Sequence, residues 1–140
     1  MADPRILIVT PEISYLPGEL GNLADHMHAK AGGLADVSSS LVKSLYEAGA
    51  DIPVALPNYR RIFDIDPCQL KDTELRHYHS KLHRDRCDLA EDSVFYVRDH
   101  VYSAYYDDNV RCSIVFQREV LNNLITHVPP DIVSCNDGTT

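Results

Sequence analysis

Lys30-Ala31-Gly32-Gly33-Leu34-Ala35-Asp36-Val37 is the stretch of this sequence in which residue types and spacing come nearest to chemistry. It falls where a loop meets the start of a helix. Two adjacent glycines leave backbone N–H groups uncovered, the helix dipole favours an anion at that end, and a lysine adds a mobile positive charge. A phosphate group fits such a place, with Lys30, Gly32 and Gly33 as its contacts and Asp36 in the same binding group. The order is neither the Walker loop, whose lysine follows its glycines, nor GxGxxG. On spacing alone, a tight turn with a solvated lysine is the favoured reading.

Other candidates are fewer. Asp107-Asp108 is a carboxylate pair at the start of a helix, where capping is the ordinary role; Asp108 is kept as a candidate contact for an acceptor substrate. Ser38-Ser39-Ser40 lies inside a helix without the context of a nucleophile elbow. His77, His79 and His83 mix strand and helix spacings in a segment rich in Arg and Lys, so a solvated excursion is favoured over a metal site. His26 and His28 read as exposed loop histidines. Cys68, Cys87, Cys112 and Cys135 are scattered without a CxxC pair and read as reduced structural cysteines.

The elements that must hold these residues alternate strand and helix. Arg5–Thr10 (RILIVT) is a continuous apolar, β-branched run, the pattern of a strand buried on both faces of a parallel sheet. A loop follows over Ile13–Ala31. Leu34, Val37, Leu41, Leu45 and Ala48 recur at steps of three and four, which predicts a helix over Gly33–Ala48 closed by Gly49. Ile52–Leu56 is the next strand. Asp64–Asp92 is polar, with weak alternation near Glu74–His79. Ser93–Val97 reads as a strand, Asp107–His127 as a helix stopped by Pro129-Pro130, and Asp131–Cys135 as a last buried strand that delivers Asn136 and Asp137 to its carboxyl end. The expected architecture is α/β, a Rossmann-like parallel sheet flanked by helices.

Composition narrows the class. The chain has 140 residues, 44% hydrophobic and 24% charged, which suits one globular domain. A net charge of -8 argues against nucleic acid as a partner. The apolar run Ile6–Val9 is too short for a signal or a membrane span, so a cytoplasmic protein with no membrane partner is expected.

At this point the wording itself becomes specific. A strand ending in Thr10-Pro11-Glu12, then Lys30-x-Gly-Gly-Leu-Ala-Asp-Val37, a helix, a strand and Leu56-Pro57-Asn58-Tyr59 resemble the opening of bacterial glycogen synthases and plant starch synthases. The resemblance continues through Tyr106-Asp107-Asp108-Asn109 with Arg111, and ends in Pro130-Asp131-Ile132-Val133-Ser134-Cys135-Asn136-Asp137. It covers nearly the whole chain apart from about Asp64 to Asp92.

The resemblance implies the N-terminal, acceptor-side domain of a GT-B fold, occupying residues 1–140 and truncated, with the C-terminal nucleotide-binding domain lying beyond Thr140 as a possible partner. The implied reaction is transfer of glucose from ADP-glucose to the non-reducing end of an α-1,4-glucan with retention, without metal or other cofactor. Lys30 would contact the sugar-nucleotide phosphates, Gly32 and Gly33 would admit them to the backbone, and Asp137, the catalytic candidate, would lie by the glucose with Asn136 beside it. The family's tryptophan after the aspartate is Gly138 here. The family's later histidine and its C-terminal Arg, Lys and Glu fall outside the sequence, so this chain alone is expected to be inactive. A non-catalytic glucan-binding or regulatory module is the alternative, and another GT-B nucleotide-sugar or phosphorylase-like enzyme a third.

Overall fold

The computed structural model describes residues 3–17, 28–59, 62, 87–127 and 129–136. Four short strands, β1 (Ile6–Val9), β2 (Val54–Pro57), β3 (Cys87–Ala90) and β4 (Ile132–Cys135), form one sheet in the order β3-β2-β1-β4. All three pairings are parallel, with Ile8 against Val54, Ile8 against Ser134 and Leu56 against Leu89. The Rossmann-like sheet expected from the alternating pattern is therefore present. Leu7, Ile8, Val54, Ala55 and Leu56 are fully buried. Burial of each larger aliphatic side chain contributes about 1.5–3 kcal/mol, which is why the β-branched runs settle in the middle of the sheet.

Helix α1 (Gly33–Glu47) follows the loop after β1. Gly49 stands at φ +87, a left-handed conformation that glycine adopts without steric cost, and its N–H donates to Tyr46 O. The buried face of α1 differs from the apolar stripe of the sequence. Ala35, Ser38, Ser39 and Val42 are buried, Leu41 and Leu45 only partly, and Val37 is 63% exposed. The helix turns Ser38 and Ser39 inward because each hydroxyl finds partners there, and a satisfied hydroxyl is tolerated in a core.

Ser93–Val97 is not a strand. Ser93–Tyr96 forms a short helix, α2, whose N-cap Asp92 accepts a hydrogen bond from Val94 N–H at 2.9 Å. The strand lies just before it, at β3. Asp92 begins a helical turn that overrides the β preference of Val94, Phe95 and Tyr96. Phe95 is the payload of that turn: it packs edge-on against Tyr59 and Phe116, with ring centroids 6.2 and 6.3 Å apart.

Helix α3 (Tyr106–Glu119) runs on through a π-helical stretch, Val120–Leu124, into a last turn, α4 (Ile125–His127). Phe116 and Val120 are its buried anchors. Asp107 and Asp108 sit in the first turn but do not cap it; Tyr105 holds the N-cap position without a side-chain hydrogen bond. Strand β4 pairs with β1 as expected, yet Ile132 and Val133 are half-exposed rather than buried. It is an edge strand of the sheet. Among the described residues, no helix is long and apolar enough to cross a membrane.

Candidate functional site

The strand order reverses between β1 and β4: the chain builds leftward through β2 and β3, then returns to the other side of β1. In open α/β sheets the carboxyl ends of the strands at such a switch point frame a crevice, the ordinary place for a ligand. Here those ends carry Thr10, which follows β1, and Asn136, which follows β4, and the start of α1 closes over them.

Ser38 joins the three elements. Its buried Oγ lies 3.1 Å from Thr10 Oγ1 and accepts a hydrogen bond from Asn136 Nδ2 at 3.1 Å. Thr10 Oγ1 also donates to Glu12 O. On the next residue, Ser39 Oγ accepts from the N–H groups of both Ser14 and Tyr15 at 3.0 Å, which pins the beginning of the loop to α1. The loop is closed at its base by a reciprocal pair of backbone hydrogen bonds between Ile13 and Ala29, both 2.9 Å. These contacts bring Ala29 and Lys30 back beside the strand end they left.

Glu12 is the most buried acid in this region, 2% exposed. Its Oε2 accepts from the N–H groups of Ala31 and Gly32 at 2.7 and 3.0 Å, and its Oε1 from the Tyr102 hydroxyl at 3.2 Å. A protein carboxylate therefore already uses two amides of the glycine turn. The amides left for another anion are those of the first helical turn, Gly33 to Ala35, which have no intrahelical acceptor.

Lys30 and Asp36 are both about half exposed and form an ion pair at 2.7 Å. The Lys30 hydrogen bond, followed by one from Ser14 Oγ, holds the Asp36 carboxyl below the ordinary aspartate range. The lysine is thus aimed across the mouth of the turn rather than free in solvent. Gly32 has an extended backbone that any residue adopts, and a Cβ added at Gly32 or Gly33 would meet nothing within 4 Å. Neither glycine is demanded by strain or by a neighbouring atom. The space over them is open.

The remaining predicted residues fall apart from this group. Asp108 accepts from Ser103 Oγ at 3.1 Å and lines a cleft of about 480 Å³ with Arg98, His100 and Arg111, none of them part of the glycine turn. Asp137, Gly138, His26, His77, His79 and His83 lie outside the described residues. Cys112 and Cys135 are unbridged. Burial pushes the Cys112 thiol up, against the opposing pull of the Arg98 guanidinium that contacts it. Among the described residues, no three of His, Cys, Asp or Glu are placed to hold a metal ion. Sequence spacing did not single out Glu12, Ser38, Ser39 or Tyr102, since the three polar residues nearest the turn read as loop or helix surface until their partners are known.

Comparison with known proteins gives one consistent result. The sequence model of the family described as starch synthase catalytic domain matches residues 5–140. The chain is similar to glycogen synthase of Moorella thermoacetica, 33% identical over 149 aligned positions that cover 97% of this chain and 27% of the relative. It is similar also to the glycogen synthases of Clostridium kluyveri, 30% identical with 82% of this chain covered, and of Geotalea daltonii, 33% identical with 80% covered. The chain spans only about a quarter of the length of these curated relatives, 26–27%. No solved structure matches it significantly.

Proposed function

This chain belongs to the starch synthase catalytic domain family, and on that premise we propose that it supplies the acceptor-side half of the active site of a retaining glucosyltransferase. The substrates are ADP-glucose and the non-reducing end of an α-1,4-glucan, and a second, nucleotide-binding domain of the GT-B type completes the site. The protein acts in the cytoplasm.

The observation that carries this reading is the conjunction of an aimed lysine, open glycines and free helix amides at the switch point of a parallel sheet. Glucosyl transfer leaves a diphosphate whose negative charge grows as the bond to the sugar breaks. Lys30 and the amides of Gly33 to Ala35 are preorganised donors for that charge, and preorganised donors cost no reorganisation when it develops. Asp36 keeps Lys30 in place meanwhile; because their pair is exposed, solvent screening keeps it weak and a diphosphate can take the lysine over. Asn136, anchored through Ser38, stands at the end of β4 where the glucosyl group would sit beside Asp137.

The test has two parts. Radiolabelled ADP-glucose and glycogen incubated with these 140 residues should give no incorporation, because they span only about a quarter of the length of the glycogen synthases they match; incorporation would contradict the assignment as a half-site. Calorimetry with ADP-glucose and with maltooligosaccharides should show nucleotide binding. Glucan binding without nucleotide binding would instead make the chain a glucan-binding module.

A further inference from the structure

We propose that Glu12 is a positioning residue: it sets the geometry of the glycine turn and ties that turn to the segment preceding α3. The inference rests on the reading of the turn as a phosphate site and adds to it a residue that touches no substrate.

A carboxylate 2% exposed is costly unless its oxygens are matched by donors. Glu12 has three. Two are consecutive amides, Ala31 and Gly32, both on Oε2, so the carboxylate fixes the peptide planes on either side of Ala31 and with them the point from which the Lys30 side chain departs. Hydrogen bonds to an ionised acceptor are the strong ones, and two from neighbouring residues leave the turn little freedom.

The third donor is the Tyr102 hydroxyl on Oε1. Tyr102 is followed by Ser103, whose N–H and C=O are both taken by the Asn109 side chain, at 2.7 and 2.8 Å. Asn109 stands in the first turns of α3. A continuous line of contacts therefore runs from α3 through Asn109, Ser103, Tyr102 and Glu12 to the glycine turn. It joins the two stretches that the sequence singles out separately, Lys30 to Val37 and Tyr106 to Asn109, and Glu12 is the side chain that carries it to the glycine turn.

Geometry and charge make different predictions, and two substitutions separate them. In Glu12→Gln the carbonyl oxygen can still accept both amides, and the NH2 group can donate to the phenol oxygen, which accepts as readily as it donates. Glu12→Ala removes all three contacts. A positioning residue is rescued by Gln. A residue acting through its charge is not.

The experiment is amide hydrogen exchange at Ala31 and Gly32 in the 140-residue chain, alongside calorimetric titration with ADP, for wild type, Glu12→Gln, Glu12→Ala and Tyr102→Phe. The expected result is loss of protection at both amides and about tenfold weaker ADP binding in Glu12→Ala, with Glu12→Gln near wild type in both. Tyr102→Phe, which deletes only one hydroxyl and keeps the test valid where Glu12→Ala does not fold, should speed exchange at Ala31 and Gly32 by about threefold to tenfold. Wild-type protection in Glu12→Ala, a Gln variant as weak as Ala, or unchanged exchange in Tyr102→Phe would overturn the proposal. If wild type binds no ADP, the phosphate reading falls, while the exchange data still decide whether Glu12 holds the turn.

Discussion

Ser38 and Asn136, 98 residues apart in sequence, are joined by a hydrogen bond of 3.1 Å from Asn136 Nδ2 to Ser38 Oγ at the point where the strand order of the sheet reverses. One buried hydroxyl on the first helix thereby fixes the end of the last strand. Replacing it with Ala should remove one partner of the Asn136 amide and one of Thr10. Ser38→Ala is expected to lower stability by about 1–3 kcal/mol, the ordinary worth of the two hydrogen bonds its hydroxyl makes. Urea denaturation followed by circular dichroism measures it; a variant as stable as wild type would show that the contact carries no weight.

Gly32 separates a structural from a functional reason for a glycine. Its backbone is extended and the space a methyl would fill is empty. Gly32→Ala should therefore leave stability within about 0.5 kcal/mol of wild type, while weakening ADP binding about tenfold through obstruction. Thermal melts and calorimetry on the same samples check both. A variant that loses stability and keeps affinity would reverse the assignment.

Asp36 titrates below the ordinary aspartate range because Lys30, and after it Ser14, bind its charged form. The sign follows from that depression. Any stability the pair contributes is fully present above the unfolded-state value, neutral pH included, and is lost as pH falls through the lower folded-state value, so only the acid range shows its dependence on pH. In Lys30→Ala the Asp36 carboxyl should titrate closer to the ordinary value, with only the Ser14 hydrogen bond holding it down. NMR titration of the side-chain carboxyl resolves this, and identical titration curves in both proteins would mean that the pair does not form in solution.

Cys112 and Cys135 should differ in reactivity. Burial raises the Cys112 thiol, so less of it is thiolate at mildly alkaline pH, whereas Cys135 is exposed. Iodoacetamide labelling at pH 8 followed by peptide mass spectrometry should modify Cys135 several-fold faster than Cys112; the opposite order would contradict the packing of α2 against α3.

The sheet was legible because β-branched runs such as Ile6–Val9 have few alternatives to a buried parallel strand. The place of Lys30, Gly32 and Gly33 at the start of a helix was legible for a different reason, since a glycine pair there is a local feature that spacing can show. The misreadings share one cause, that partners distant in sequence decide. Ser93–Val97 has strand composition, but Asp92 caps a helical turn and Phe95 finds Tyr59 and Phe116. Ser38 and Ser39 look like helix surface until Thr10, Asn136 and the amides of Ser14 and Tyr15 arrive from elsewhere. Glu12 gave no spacing signal, because its three donors lie 19, 20 and 90 residues away.

The central claim is that Lys30 and the open glycine turn receive the phosphates of a sugar nucleotide. Phosphorus NMR of ADP titrated with the chain tests it most directly, with Lys30→Ala as the comparison. The β-phosphate resonance should shift and broaden on addition of wild type, with at least about tenfold more protein needed for the same change with Lys30→Ala. Equal perturbation by the two proteins, or phosphate resonances that neither protein changes, would contradict it.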